Sequence, residues 1–125
     1  MKISTFNPMI MSPKAEELIS LFEDLGFEKR HTKTGLNDED ITHVRMKNED
    51  GFPVDISYVD RLPQDVACIR MNVDNFEEAY DFLIKRGFKN TQGDKIGESK
   101  SGKGTAMMSP TGFIIVLSHH IKNHD

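Results

Sequence analysis

The chain has 125 residues, a formal net charge of −4 and a single cysteine, Cys68. This length suits one compact domain with one hydrophobic core. Its 16 Lys and Arg against 20 Asp and Glu leave no broad basic field for nucleic acid, and one cysteine excludes an internal disulfide framework. Neither a membrane-spanning apolar run nor the apolar segment of a signal peptide is present, so we expect a soluble, cytoplasmic protein.

The first half of the chain predicts a βαβββ module. A strand is expected at residues 3–11, and the apolar residues of AEELISLFEDLGF then recur at i, i+3, i+4 and i+7, on one helical face. Ser12 followed by Pro13 predicts the start of this helix, and Gly26 predicts its end. Three short strands are expected next, at about residues 28–34, 42–47 and 53–59. A polar loop at 35–40 joins the first two, and a turn joins the last two.

The second half repeats this pattern at a constant offset. Gly112 of SPTGFIIVL follows Gly51 of NEDGFPVDI by 61 positions, and FEEAYDFLIKRGF follows AEELISLFEDLGF by the same number. Asp74 with Glu77 predicts the start of the second helix, and Gly87 predicts its end. Further strands are expected at about residues 66–73, 95–98, 105–108 and 113–119. The sequence therefore predicts a single α+β domain, 1–125, with modules of about 1–60 and 65–125.

The segment GESKSGKG, residues 97–104, resembles a phosphate-binding loop but departs from it twice. Gly104 stands where the loop needs a magnesium-binding hydroxyl, and the strand-like TAMMS follows where a helix is required. We therefore expect a loop at the rim of the sheet. Its Lys100 and Lys103 would be available to contact an anionic ligand as a lid.

Two βαβββ modules, helices ending in Leu-Gly-Phe and Arg-Gly-Phe, and a Ser-Pro-Thr-Gly turn before an apolar strand resemble the vicinal oxygen chelate superfamily. This superfamily includes glyoxalase I, extradiol dioxygenases, fosfomycin-resistance enzymes and bleomycin-resistance proteins. The resemblance covers essentially the whole chain. It implies a curved mixed sheet that forms a cup with the helices outside, and it implies a homodimer. It leaves function open, because the superfamily contains both metal enzymes and metal-free binding proteins.

The resemblance also implies four metal-ligand positions. They fall on Asn7, with Phe6 as the competing register, and on Asp55, Cys68 and Val116. A hydrocarbon side chain and a weak amide ligand leave too few donors for a catalytic metal, so we expect no metal and no cofactor. The alternative is a metal-dependent lyase, isomerase or thiol transferase of glyoxalase I or fosfomycin-resistance type, which a histidine beside Asp55 would favour.

Strand alternation predicts the side chains that face the cup. These candidate ligand-binding residues are His43, Arg45, Asp55, Ser57, Cys68, Arg70 and Ser118. Two arginines near one aspartate suit a small ligand with a carboxylate or phosphate group. The same arginines would also suit a structural role, in which both pair with Asp55 across neighbouring strands. Cys68 is either a small apolar filler or, with His43 in reach, a nucleophile.

The chain ends in a histidine-rich segment, with His119, His120 and His124, for which we expect a frayed polar tail rather than a metal site. The sequence thus favours metal-independent binding of a small organic ligand, with an anionic group as one option. The metal-dependent enzyme is the second hypothesis. An interaction module that dimerises through exposed sheet edges is the third.

Overall fold

The computed structural model describes residues 1–33, 42–99 and 102–120. Within them lie two helices and nine strands, in the order β1 (Ile3–Ser12), α1 (Ala15–Asp24), β2 (Glu28–Lys33), β3 (Thr42–Lys47), β4 (Pro53–Tyr58), β5 (Val66–Val73), α2 (Phe76–Lys85), β6 (Lys89–Asn90), β7 (Gly97–Ser99), β8 (Gly102–Met108) and β9 (Ile114–His120). Neither of these helices is long and apolar enough to cross a membrane.

Backbone contacts group the chain into two compact units. The N-unit is Asn7–Ala67, and the C-unit combines Met1–Phe6 with Cys68–Asp125. Strand β1 therefore contributes its first residues to the C-unit and its remaining residues to the N-unit. Each unit contains one helix and several strands in both parallel and antiparallel pairs. The predicted α+β class with a mixed sheet is confirmed.

In the N-unit, α1 packs on a sheet with the strand order β2-β3-β4-β1. Strand β4 runs antiparallel to β3 and parallel to β1, which places both Arg45 and Met9 beside Asp55. Side chains alternate along a strand, so one set of residues faces α1 and the other faces away. The buried core under α1 consists of Ala15, Val44, Met46, Val54 and Ile56. Val44 and Met46 therefore lie on the opposite face of β3 from His43 and Arg45, as the predicted cup-facing set requires.

In the C-unit, the strand order is β5-β9-β8-β6, with β7 paired to β8. Strand β5 is parallel to β9, and β8 is antiparallel to β9. Helix α2 covers one face of these strands, and the buried core there consists of Met71, Val73, Phe76, Ala79, Leu83, Met107, Ile115 and Leu117. The C-unit therefore repeats the arrangement of the N-unit, as the offset of 61 positions predicts.

Helix α1 begins later than the sequence predicts. Ser12 is the last residue of β1, and its Oγ accepts a hydrogen bond from the backbone N–H of Lys14 at 2.9 Å. The same hydroxyl donates to Asp65 Oδ1 at 2.5 Å. Because Ser12 is held by a strand partner and by the segment that follows β4, the helix starts at Ala15 without a side-chain cap.

The start of α2 is also one residue later than predicted. The cap is Asn75, whose Oδ1 accepts from the N–H of Glu78 at 3.1 Å. The predicted cap, Asp74, instead accepts from the backbone N–H of Lys2 at 2.7 Å. This hydrogen bond lowers the pKa of the exposed Asp74 carboxyl below its ordinary value. A bond between residues so far apart in sequence is invisible to a local capping pattern.

The segment after α2 differs most from the prediction. In place of one strand at 95–98, the chain forms the short β6, a turn, and then β7. The buried amide of Asn90 shapes this turn: its Nδ2 donates to the carbonyl of Lys95 at 2.9 Å, and its Oδ1 accepts from the N–H of Gln92 at 3.0 Å. Thr105 Oγ1 on β8 donates to the same Oδ1 at 2.7 Å. The hydrogen bonds of the Asn90 side chain, rather than strand propensity, therefore determine the path of the backbone in this segment.

The two helix-ending glycines provide a matched test of packing. Gly26 and Gly87 have φ values of +100° and +94°, but a Cβ on Gly26 would meet nothing within 4 Å, whereas one on Gly87 would lie 3.0 Å from Pro110 Cγ. We expect Gly26→Ala to lower the free energy of unfolding by about 1 kcal/mol, the cost of a left-handed backbone. Gly87→Ala should lower it further because Pro110 must also shift. Urea denaturation measures both, and equal losses would contradict the Pro110 contact.

Candidate functional site

The face of the N-unit sheet opposite α1 carries a cluster of polar and ionisable side chains. The even-numbered residues of β3 and β4 supply the core under α1, so the odd-numbered residues point to the other face. The strand register places Arg45 opposite Asp55 and His43 opposite Ser57. Together with Asn7 of β1, these four predicted site residues form what we call the Asp55 cluster.

Asp55 is the centre of this cluster and is fully buried. Its Oδ1 lies 3.6 Å from Arg45 Nε and 3.8 Å from His43 Nε2, and its Oδ2 accepts a hydrogen bond from Asn7 Nδ2 at 3.3 Å. Burying a carboxylate costs several kcal/mol unless nearby charges and hydrogen bonds offset the cost. Of the two arginine pairings with Asp55 that a structural role would involve, the one with Arg45 is present.

His43 joins Asp55 to Ser57. Its Nδ1 lies 3.0 Å from Ser57 Oγ, while its Nε2 faces the Asp55 carboxylate. The neutral tautomer that suits both neighbours carries its proton on Nε2, toward Asp55, and accepts a hydrogen bond from the Ser57 hydroxyl at Nδ1. His43 and Ser57 are both buried. The order of groups is hydroxyl, imidazole and carboxylate.

The first strand resolves the choice between Asn7 and Phe6. Asn7 is buried and donates to Asp55, whereas Phe6 is exposed. Asn7, rather than Phe6, therefore lies beside Asp55. Asn7 was not in the predicted ligand-binding set. Alternation along β1 puts it on the same face as Met9 and Met11, which pair with Asp55 and Ser57, and this alternation could have identified it.

The four implied metal positions do not fit a catalytic metal. Asn7 turns its amide NH2 group toward Asp55, and Val116 has no donor atom. Cys68 is buried on β5. In residues 1–33, 42–99 and 102–120, no three His, Cys, Asp or Glu side chains are grouped so that they could hold a metal ion. Three good ligands are the usual minimum for a catalytic site.

Three predicted site residues, Cys68, Arg70 and Ser118, belong to the C-unit. Arg70 lies beside Val116 and is half-buried, and Ser118 lies beside Asn72. Ser118 Oγ donates to Asn72 Oδ1 at 3.2 Å. Asn72, which the ligand-binding set omits, follows the same alternation as Cys68 and Arg70. The nucleophile role of Cys68 stays a hypothesis.

The predicted frayed tail is wrong for His119 and His120, which are the last residues of β9. They pair with Lys103 and Gly102 of β8, and this ladder orders the chain to the end of the strand. His119 Nδ1 lies 2.8 Å from the carbonyl oxygen of Val73, to which it must donate. His124 lies outside the described residues.

Lys103 is placed on the α2 face of the C-unit. Its Nζ donates to Glu77 and lies 5.2 Å from the centre of the Phe76 ring. The hydrogen bond from Lys103 lowers the pKa of the exposed Glu77 carboxyl. Lys103 is therefore paired with Glu77 in the first turn of α2. Lys100, the other lysine of the predicted lid, lies outside the described residues.

Neither a protein-family model nor a curated protein sequence matches the chain, but 27 chains of solved structures do. Methylmalonyl-CoA epimerase from Mycobacterium tuberculosis gives a TM-score of 0.69 at 11% identity over 98% of this chain and 91% of that one. A hypothetical protein from Bacillus halodurans C-125 gives 0.70 at 9% identity over 98% and 97%.

A third solved structure is a glyoxalase/bleomycin resistance protein/dioxygenase superfamily member from Vibrio splendidus. It gives a TM-score of 0.59 at 19% identity over 94% of this chain and 99% of that one. Similarity at these identities describes the fold and not the activity. The chain has the fold of the glyoxalase/bleomycin resistance/dioxygenase superfamily, the vicinal oxygen chelate group that its sequence resembles.

Proposed function

We propose that the protein binds a small organic ligand through an anionic group at the Asp55 cluster, without a metal ion. The placement of Arg45 carries this proposal. Its Nε lies 3.6 Å from the buried Asp55 carboxylate, while 29% of its side chain remains exposed. Asp55 thus fixes the guanidinium in position, and the group has further N–H donors beyond Nε. The N–H donors of the planar guanidinium form a fork that can hydrogen-bond to two oxygens of a carboxylate or phosphate at once.

The burial of Asp55 supports a functional role for the cluster. Well-packed apolar residues usually stabilise a fold as much as a buried ion pair does. The Asp55 cluster also lies away from the core under α1. Ionisable side chains gathered where packing does not need them are typical of binding and catalytic sites.

The proposal is tested by isothermal titration of chelator-treated protein with inorganic phosphate, malonate and pyruvate. We expect at least one of these anions to bind, and Arg45→Met to weaken its binding at least about tenfold by removing a charged hydrogen-bonding group. Arg30→Met is the matched control, because Arg30 is half exposed on β2 and lies 3.8 Å from Glu28. Its binding should equal that of the wild type. Unchanged affinity in Arg45→Met would contradict the proposal.

A metal-dependent lyase, isomerase or thiol transferase is the second candidate. The observation in its favour is His43, which lies beside Asp55 as that hypothesis requires. The thermal unfolding of chelator-treated protein with added zinc, nickel, manganese or magnesium separates the two candidates. A metal at 100 times its dissociation constant adds about 2.7 kcal/mol, which raises the melting temperature by several degrees. Such a rise, abolished by Asp55→Asn, would replace metal-independent binding with this candidate.

The cytoplasmic location and the homodimer stay predictions from the sequence. So does the lack of a nucleic-acid partner, which the net charge of −4 supports.

A further inference from the structure

We infer that Ser57 accepts acyl groups, with His43 as its general base and Asp55 as the residue that positions His43. The Asp55 cluster would then transfer a short acyl group from an activated ester to Ser57 and from there to water. This activity uses the same cluster as the proposed anion binding but does not depend on it.

The distance between Ser57 and His43 matches that of an activated nucleophile. Ser57 Oγ lies 3.0 Å from His43 Nδ1, within the range of about 2.6–3.2 Å that joins a nucleophile to its base. On the other side of the ring, Nε2 lies 3.8 Å from Asp55 Oδ1. Contacts of this kind are often long without substrate and shorten when it binds. Each imidazole nitrogen can act as donor or acceptor, so a base that uses Nδ1 is chemically equivalent.

The sheet holds these groups in register. Asp55 and Ser57 are two residues apart on β4, so their side chains leave the same face, and His43 lies directly opposite Ser57 on β3. Asn7 and Arg45 contact the Asp55 carboxylate from the neighbouring strands. A rigid ladder of backbone hydrogen bonds thus fixes the hydroxyl, the imidazole and the carboxylate relative to one another.

The proposed reaction balances without a cofactor. The Ser57 oxygen forms a bond to the acyl carbon as its proton moves to His43 Nδ1, and the bond from that carbon to the leaving oxygen breaks. The leaving group takes the proton from Nδ1. Water then attacks the acyl-Ser57 ester in the same way, releases the carboxylic acid and restores the serine. Asp55 faces the imidazolium that forms in each half of the cycle.

Burial restricts the acyl group. Ser57 is only 4% exposed, and His43 is buried beside it. A serine with so little exposed surface leaves room for a small planar acyl group such as acetyl at most, and a long acyl chain would require the neighbouring side chains to move. We therefore expect short-chain esters as the substrate class.

The internal repeat supplies a matched control serine. Ser118 follows Ser57 by 61 positions and occupies the equivalent place on β9. Its cross-strand neighbour, however, is Gly104, and its hydroxyl donates to Asn72. Ser118 therefore has the backbone setting of Ser57 without an imidazole opposite, and it should not be acylated.

The test incubates the chelator-treated full chain with p-nitrophenyl acetate and follows both p-nitrophenolate release and the acetylated peptides by mass spectrometry. We expect acetyl on the peptide that contains Ser57, and none in Ser57→Ala. His43→Gln should slow the release by about 10²–10⁴-fold, the usual contribution of a general base. The wild-type peptide that contains Ser118 should carry no acetyl, and p-nitrophenyl decanoate should react far more slowly than the acetate.

Asp55 requires a readout that a purely structural role would not move. Asp55→Asn keeps the shape of the side chain, and we expect it to lower kcat for ester hydrolysis while KM stays near the wild-type value. Circular dichroism confirms that each variant is folded.

Acetyl found only on lysine, or equal release by Ser57→Ala, would overturn the inference. Because the wild-type peptide map is decisive by itself, a variant that fails to fold does not leave the question open. If Arg45-dependent anion binding is observed without acetyl on Ser57, the proposed function stands and this inference fails.

Discussion

Replacing Asp55 with Ala should lower the free energy of unfolding by about 3–5 kcal/mol. The carboxylate is fully buried and contacts Arg45, His43 and Asn7. Its removal leaves those polar groups desolvated beside a cavity, which costs more than the lost attraction alone. Urea denaturation at neutral pH, with the slope of the transition checked against the wild type, measures this loss.

A double variant separates charge pairing from simple loss of volume. Asp55→Leu with Arg45→Met removes both charges and fills much of the space. Apolar replacement of a whole buried ion pair is often neutral, so this variant should lose less stability than Asp55→Ala alone. A double variant at least as unstable as Asp55→Ala would mean that the pair does not explain the stability of this face.

Replacing Phe76 with Ala should also cost about 3–5 kcal/mol, because it opens a cavity in the core of the C-unit. Phe76 is 2% exposed, packs in one cluster with Leu83 and Met107, and stacks on Tyr80 with 6.0 Å between ring centres. The Nζ of Lys103 also lies over its ring.

Phe82 on the same helix is the control for Phe76. It is 46% exposed, and the guanidinium carbon of Arg86 lies 5.3 Å from its ring centre. Phe82→Ala should therefore cost about 0.5–1 kcal/mol, the value of an exposed cation–π contact. When both variants are unfolded with heat or urea, Phe76→Ala should lose several times more free energy of unfolding than Phe82→Ala. Equal losses would contradict the packing of α2 that is described above.

Much of the fold follows from the sequence because its signals are repeated. The offset of 61 positions aligns two amphipathic helices and two Gly-Phe turns, and the alternation of β3 correctly keeps His43 and Arg45 out of the core under α1. Errors occur where a distant partner decides. Asp74 accepts a hydrogen bond from the backbone of Lys2, 72 residues away, and pairing with β8 extends the last strand to His120, one residue beyond its predicted end.

The site was predictable to the level of a sheet face and no further. Alternation places His43 and Asp55 on the same side of their strands, but only the cross-strand register decides that Arg45 faces Asp55 and that His43 faces Ser57. A shift of one residue would have moved each side chain to the other face. The expectation of a metal-free site came from the residue types at the four implied metal positions. The distances around Asp55 could be obtained only from the structure.

The division of β1 between the two units has a consequence for folding. The C-unit needs residues 1–6, whose partners lie much later in the chain: Ser4 Oγ donates to the carbonyl of Asn72 and accepts from the side-chain amide of Asn72, 68 residues away. Such contacts require closure of a long loop, which slows folding. Residues 1–6 can therefore complete their pairing only after the second module has been made, and a second half cut out between residues 60 and 65 would lack this part of its own unit.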